Sequence, residues 1–231
     1  MKKTMWIAIA GALAVSVLAA SAQEVLSANT IGYIKKQLPS GGKMICLSVP
    51  LFSMTEGSNV FGRTSFAAEA PNGSSVYFWN YTNQIWSPGT KSTKGTWSAY
   101  SNYVISAGEG FFLRSPTNSV VATEITIAGE VPAMATQTRA VMGAANLGTV
   151  ANPYPADFKF GSSDLAKNAA NGSTVYFWNE TNQIWSPGTK SSKGVWSAYS
   201  NYVVKATEGF FLKTSNTTSW VWTNAKPYTW P

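Results

Sequence analysis

The side chains best suited to chemistry in this 231-residue chain come in pairs, 99 positions apart. Glu109 stands in "GEGFFL" and Glu208 in "TEGFFL". A glycosidase needs two carboxylates facing each other across a bond. Glu109 and Glu208 are instead two copies of one position. Glu180 has no copy, because Tyr81 stands at the matching place, and Asp157 with Glu208 is the combination that remains. The simpler role for both glutamates is to accept backbone hydrogen bonds in a tight turn before the paired phenylalanines. The chain contains no histidine. That removes Ser-His-Asp and Cys-His catalysis and every His-ligated metal centre. No phosphate-binding glycine loop or Asp-rich calcium loop is present, and "GEGFF" leads into a strand where a nucleotide loop would lead into a helix. The expectation is a protein that is not an enzyme, with no catalytic residue, cofactor or metal.

Aromatic side chains are the remaining source of chemistry. Trp86 lies in "TNQIWS" and Trp97 in "TKGTWSAYSNY", and the same words return around Trp185 and Trp196. Sugars stack on flat aromatic faces rimmed by Asn, Gln, Ser and Thr, the residue types found here. The expected ligand-binding residues are therefore Trp86, Trp97, Tyr100, Trp185, Trp196 and Tyr199. The competing use of tryptophan in a disulfide-free β domain is to fill the core. Two weak sites on one chain would raise apparent affinity for a repeating polymer by ~10²–10⁴.

These residues need a scaffold, and the spacing describes it. Residues 72–114 align with 171–213 without a gap, and 35 of 43 positions are identical. Short runs rich in β-branched and aromatic residues alternate with Asn, Gly and Pro, the signature of strands and turns. The expected class is all-β: two similar β-sandwich or small-barrel domains from an internal duplication. The expected divisions are a signal peptide at 1–22, a first repeat at 23–124, and a second repeat at 125–231 with an aromatic C-terminal tail. In "FGSSDLAKNAA" (160–170) a short helical turn is expected, capped by Ser162 or Ser163. For the hairpin "VYFWNYTNQIW", a three-residue loop with Asn83 in the left-handed region would pair Trp79 with Ile85 and Phe78 with Trp86. Both faces of that hairpin are apolar, so it is either covered on both sides or displays one aromatic face.

The start "MKKTMWIAIAGALAVSVLAASA" has a basic end, a short apolar run and an A-x-A site, the pattern of a secretory signal. The expected location is outside the cytoplasm: secreted, cell-surface or periplasmic. No other segment is apolar and long enough to span a membrane as a helix. A single cysteine, Cys46, excludes an internal disulfide and reads as a small buried hydrophobe. The net charge is +7, or +5 without Lys2 and Lys3, with 15 basic residues against 10 acidic. The basic residues are scattered and form no stripe, so nucleic acid is not an expected partner. Five Asn-x-Ser/Thr sites, at Asn72, Asn80, Asn171, Asn179 and Asn216, read as turn asparagines.

The words "ANPYPADF" (151–158), "VYFWN" and "EGFFLK" (208–213) together resemble a module of secreted and surface proteins from Bacteroidetes and Verrucomicrobia-like bacteria. The opening "SANTIGYIKKQLPSGG" and the ending "KPYTWP" resemble the second group especially. The first repeat departs from the pattern, with "SVPLFSMTE" in place of "ANPYPADF". The resemblance implies export and a β module, and carries no activity or functional residues with it. The functional expectation is a non-enzymatic tandem β protein that acts by binding, with polysaccharide or other copies of itself as partner. The alternative is a structural subunit of an extracellular layer, fibre or matrix.

Overall fold

The structure is a computed structural model that describes residues 30–54 and 58–229; the expected signal peptide at 1–22 and Trp230 lie outside the described residues. The chain is all-β and is built from two sets of elements in the same order. The first set is β1 (Ile31–Leu38), β2 (Met44–Leu47), β3 (Asn59–Val60), α1 (Ser65–Glu69), β4 (Ser75–Asn80), β5 (Ile85–Thr90), β6 (Val104–Ile105), β7 (Phe111–Arg114) and β8 (Thr123–Glu130). The second is β9 (Thr136–Val141), β10 (Leu147–Ala151), β11 (Phe158–Lys159), α2 (Asp164–Asn168), β12 (Thr174–Asn179), β13 (Ile184–Thr189), β14 (Val203–Val204), β15 (Gly209–Lys213) and β16 (Trp220–Ala225). Each set makes one four-stranded antiparallel sheet, in the order β2-β7-β4-β5 or β10-β15-β12-β13. Each also makes a ribbon from its first and last strands, β1-β8 or β9-β16.

Alternation along the strands explains each core. Ile45, Leu47, Val76, Phe78, Phe111 and Leu113 project from one face of the first sheet. They meet Leu38, Ile125 and Ile127 of the ribbon and Phe61 and Phe66 of the short helical segment. Val150, Val175, Phe177, Phe210 and Leu212 repeat the arrangement with Val141, Trp222, Phe160 and Leu165. The helices last a single turn. Thr64 and Ser163 cap them, accepting from Ala67 N and Ala166 N, so the cap lies at Ser163 of the two serines considered.

At the other end of each helix sits a buried lysine. Lys91 Nζ donates to the carbonyls of Ala67, Ala68 and Ala70 at 2.7–3.0 Å, and Lys190 does the same to Ala166, Lys167 and Ala169. An ammonium in this place satisfies the unpaired carbonyls of the last turn and opposes the negative end of the helix dipole. Burial lowers the pKa of both groups.

Four sequence expectations need correction. The hairpin loop has four residues, so Trp79 pairs with Trp86 and Asn80 with Ile85. Gln84, at φ 54°, takes the left-handed position expected of Asn83. Asn80 Oδ1 instead accepts from Asn83 N and closes the turn. The strand after the loop also runs on through Pro88, which an edge strand tolerates because one side of it needs no donor. The aromatic and β-branched content of "TWSAYSNYVIS" favours a strand or two, but its "TWSAYSNY" part is irregular chain, with Tyr100 held at φ 67°. Finally, the 124/125 division cuts through β8, which pairs with β1 along its whole length and so belongs to the first unit.

Candidate functional site

The second apolar face of the repeated hairpin faces the other unit. With Trp79 opposite Trp86, both rings project from the side of the sheet away from the core of their own unit, and Phe112 of β7 stands beside them. Trp178, Trp185 and Phe211 do the same on the second sheet. The two trios close on each other as one aromatic cluster. Trp79 and Trp86 lie 4.8 and 5.2 Å from Phe211, while Trp178 and Trp185 lie 4.9 and 5.4 Å from Phe112. Most of these contacts are edge-on, the geometry that ring quadrupoles favour.

Hydrogen bonds across the junction are reciprocal. Trp79 Nε1 donates to Leu147 O at 3.0 Å, and Trp178 Nε1 donates to Met44 O at 3.0 Å. Gln84 Oε1 accepts from Leu147 N at 2.8 Å and its Nε2 donates to Leu147 O at 3.2 Å. Gln183 makes the same pair with Met44, at 2.7 and 3.0 Å. Met44 and Leu147 begin the edge strands of the two sheets. Each glutamine amide therefore acts as a one-residue strand partner for the opposite unit, which protects an otherwise open edge. Contacts of residue i with j and of j with i are the mark of a twofold, self-complementary interface. Here both halves belong to one chain.

The "EGFF" glycines lie where the two sheets come closest. A Cβ added to Gly209 would meet Cys46 Sγ and Leu47 O at 2.9 Å and Gly110 Cα at 3.0 Å. The glutamates beside them serve the turn. Tyr103 OH donates to Glu109 Oε1 at 2.5 Å and Ser106 N to Glu109 Oε2 at 3.0 Å; Tyr202 OH and Lys205 N serve Glu208 in the same way at 2.5 and 3.1 Å. Asp157 is engaged by Lys205 Nζ and Ala206 N at 2.8 and 3.0 Å. Both carboxylates of the Asp157–Glu208 combination thus already hold the fold. Among the described residues, no His, Cys, Asp and Glu side chains form a group able to hold a metal, and no helix is long and apolar enough to cross a membrane.

Neither a known protein family nor a curated protein nor a solved structure matches the chain. Its site must be judged from its own geometry. The six residues expected to bind ligand separate into two groups. Trp97 and Trp196 turn inward: their Nε1 atoms donate to Ala67 O and Ala166 O, and their rings lie 4.8 and 5.0 Å from Phe61 and Phe160. Tyr100 and Tyr199 pack on Phe78 and Phe177 at 5.1 and 4.9 Å. These four pack against the cores, Trp196 buried and the other three partly exposed, and Trp196 and Tyr199 also line a depression on the outer surface of the second unit. Trp86 and Trp185 are half-buried, and both line one groove of about 480 Å³ at the junction, with Trp79, Gln84, Leu147, Tyr176, Phe211 and Lys213. At the junction the two repeats thus contribute to one shared aromatic groove. Gln84, Tyr176 and Lys213 were not singled out in the sequence. Only the repetition of Gln84 as Gln183 hinted at a role for it.

Burial also sets the response to pH. The phenols of Tyr81, Tyr103, Tyr154 and Tyr202 and the Cys46 thiol are all raised, chiefly by desolvation, and Tyr228 is raised to about 12. The folded chain keeps these protons while the unfolded chain releases them from about pH 9 for the thiol and about pH 10 for the phenols. The stability these groups contribute is fully present below about pH 9 and falls as pH rises beyond it. Urea unfolding at pH 8, 9.5 and 10.5 should show a steadily lower midpoint, with phenolate absorbance rising at unfolding. A midpoint constant across that range would contradict the burial of these groups. Glu208, like the phenols and the thiol, ionises to an anion and follows the same sign at lower pH. Burial raises its carboxyl above the usual range despite its hydrogen bonds, so its ionisation removes stability as pH climbs through the window just above 4.5.

Proposed function

We propose that the protein is a non-enzymatic, secreted tandem β protein that binds polysaccharide in the groove where its two units meet. One observation carries the reading: a tryptophan from each repeat, Trp86 and Trp185, lines the same aromatic groove, with Gln84, Tyr176 and Lys213 as polar neighbours. Flat apolar walls with a few hydrogen-bonding groups suit a sugar ring, whose faces are apolar and whose rim is hydroxyl. The non-enzymatic part of the proposal rests on the carboxylates, which are engaged by backbone and tyrosine. Export rests on the signal-like start of the sequence.

The test is retention of the protein, without its signal sequence, on insoluble polysaccharides such as cellulose, chitin and xylan. Trp86→Ala and Trp185→Ala should each lower retention by about tenfold or more, the scale of one lost aromatic contact. Val104→Ala, on the exposed outer side, should leave retention unchanged. Equal retention of all three variants, or no retention of the parent on any polymer, would overturn the proposal.

A structural role in an extracellular layer has one observation in its favour. Val120 and Val121 stand side by side with 89% and 71% of their surface exposed. Sedimentation at rising concentration, with Val121→Lys as the control, separates that reading from the first.

A further inference from the structure

The two copies of the hairpin differ at one position of the turn, Tyr81 against Glu180, and that difference leaves a cavity on one side only. Tyr81 reaches across the junction into the second unit. Its hydroxyl meets Thr149 Oγ1 at 2.7 Å and accepts from Arg139 Nη2, and the Arg139 guanidinium lies 5.5 Å from its ring centre. Glu109, itself bound by Tyr103, is the acidic neighbour, 3.9 Å from Arg139 Nη1.

The register of the strands gives the counterpart of each group. Lys36 corresponds to Arg139, Cys46 to Thr149, Trp178 to Trp79, Tyr202 to Tyr103 and Glu208 to Glu109. Glu180 enters this second setting without a ring. Its carboxylate lies 3.0 Å from Lys36 Nζ. Where the first half holds a phenol, the second holds a cavity of about 230 Å³ lined by Lys36, Cys46, Trp178, Glu180, Tyr202 and Glu208, with Lys205 also on its wall. A cavity of about 150 Å³ is enough to hold benzene. A ring arriving from solvent can enter past Lys205, whose side chain is 64% exposed.

We infer that this cavity is a binding site for a small neutral phenol or a phenolic end group. The molecule itself shows the occupant, since the equivalent place in the other half is filled by the phenol of Tyr81. The ligand ring lies against Trp178. Its hydroxyl accepts from Lys36 Nζ, as that of Tyr81 accepts from Arg139, and donates to the Glu180 carboxylate, which takes the part of Thr149. An anionic ligand is disfavoured by Glu180 and Glu208, and a wholly apolar one leaves Lys36 and Glu180 without the hydroxyl.

The probe is p-cresol, the side chain of tyrosine, titrated calorimetrically into the protein without its signal sequence, with toluene as the comparison. The expected result is saturable binding of p-cresol at millimolar concentration or below, with toluene at least about tenfold weaker, the scale of one buried hydrogen bond to a charged group. Glu180→Tyr should fill the seat and abolish binding while circular dichroism stays unchanged. Lys36→Met should reduce the preference for p-cresol over toluene to less than about threefold, a free-energy difference well below that of one such bond. Absence of saturable heat with p-cresol overturns the inference, and so does undiminished binding in a folded Glu180→Tyr. If Glu180→Tyr does not fold, Lys36→Met decides: an unchanged preference overturns the inference and a lost preference supports it.

Discussion

Phe211→Ala should destabilise the protein by about 3–5 kcal/mol, the usual cost of truncating a buried phenylalanine. Only 3% of Phe211 is exposed, and its ring meets Trp79, Trp86 and Trp185 at 4.8–5.2 Å. Two of those partners come from the other unit. The loss therefore falls on the junction, and the five edge-on ring contacts among Phe112 and the tryptophans cannot close over the hole. Phe112→Ala, its counterpart at 2% exposure, should cost about as much. Both are measured by urea unfolding followed through tryptophan fluorescence. The effect of the pair should also fall short of the sum of the two, because the rings share partners. A loss below about 1 kcal/mol for either variant, comparable with an exposed substitution such as Thr82→Ala, would show that the aromatic cluster does not hold the units together.

Gly209→Val should do comparable damage by the opposite means, adding atoms where there is no room. Its first new carbon would sit 2.9 Å from Leu47 O and 3.0 Å from Gly110 Cα, and both of those are backbone atoms that no rotamer change can move aside. The two sheets must separate locally, which weakens the Gln183–Met44 and Trp178–Met44 hydrogen bonds on the same edge. Overpacking of this kind costs about 1–3 kcal/mol, with more when paired backbone groups lose their partners. Gly209→Ala should lie between the parent and the valine variant. Gly41→Ala is a fair reference for the intrinsic glycine effect, since its added Cβ meets nothing within 4 Å although its φ of 72° disfavours a side chain. If Gly209→Val unfolds no earlier than Gly41→Ala, the close approach of the sheets is not a constraint on this fold.

The double occurrence of one aromatic hairpin has a structural answer in these contacts. Each copy lays one apolar face on the core of its own unit and the other on its twin. Val76 and Phe78 belong to the first face, Trp79 and Trp86 to the second. The copies must stay alike because a reciprocal interface uses the same residues from both sides, with Gln84 and Gln183 each serving the other's edge strand. The break in that likeness within the turn, Tyr81 against Glu180, is the place where one half keeps an open cavity.

Much of this was legible in the sequence, and the limit has a physical cause. Period-two alternation with β-branched and aromatic residues is a local property, so the all-β class and the hairpin at 76–88 could be read directly. The lack of histidine excluded whole chemistries by composition alone. A serine cap at Ser162 or Ser163 and the apolar setting of Cys46 are likewise local. Register was not legible, because a three-residue and a four-residue loop fit the same turn chemistry, and the choice rests on Gln84 reaching Leu147, which lies 63 residues away. That one-residue slip decides which face Trp86 occupies. Nor could the sequence separate Trp97 from Trp86. Both are tryptophans among Ser, Thr and Asn, but one faces Phe61 inside its unit and the other a groove that exists only when the two units meet. Alternation along a strand shows that a side chain has a face. Only tertiary packing decides what that face touches, because the partner comes from distant sequence and is selected by shape.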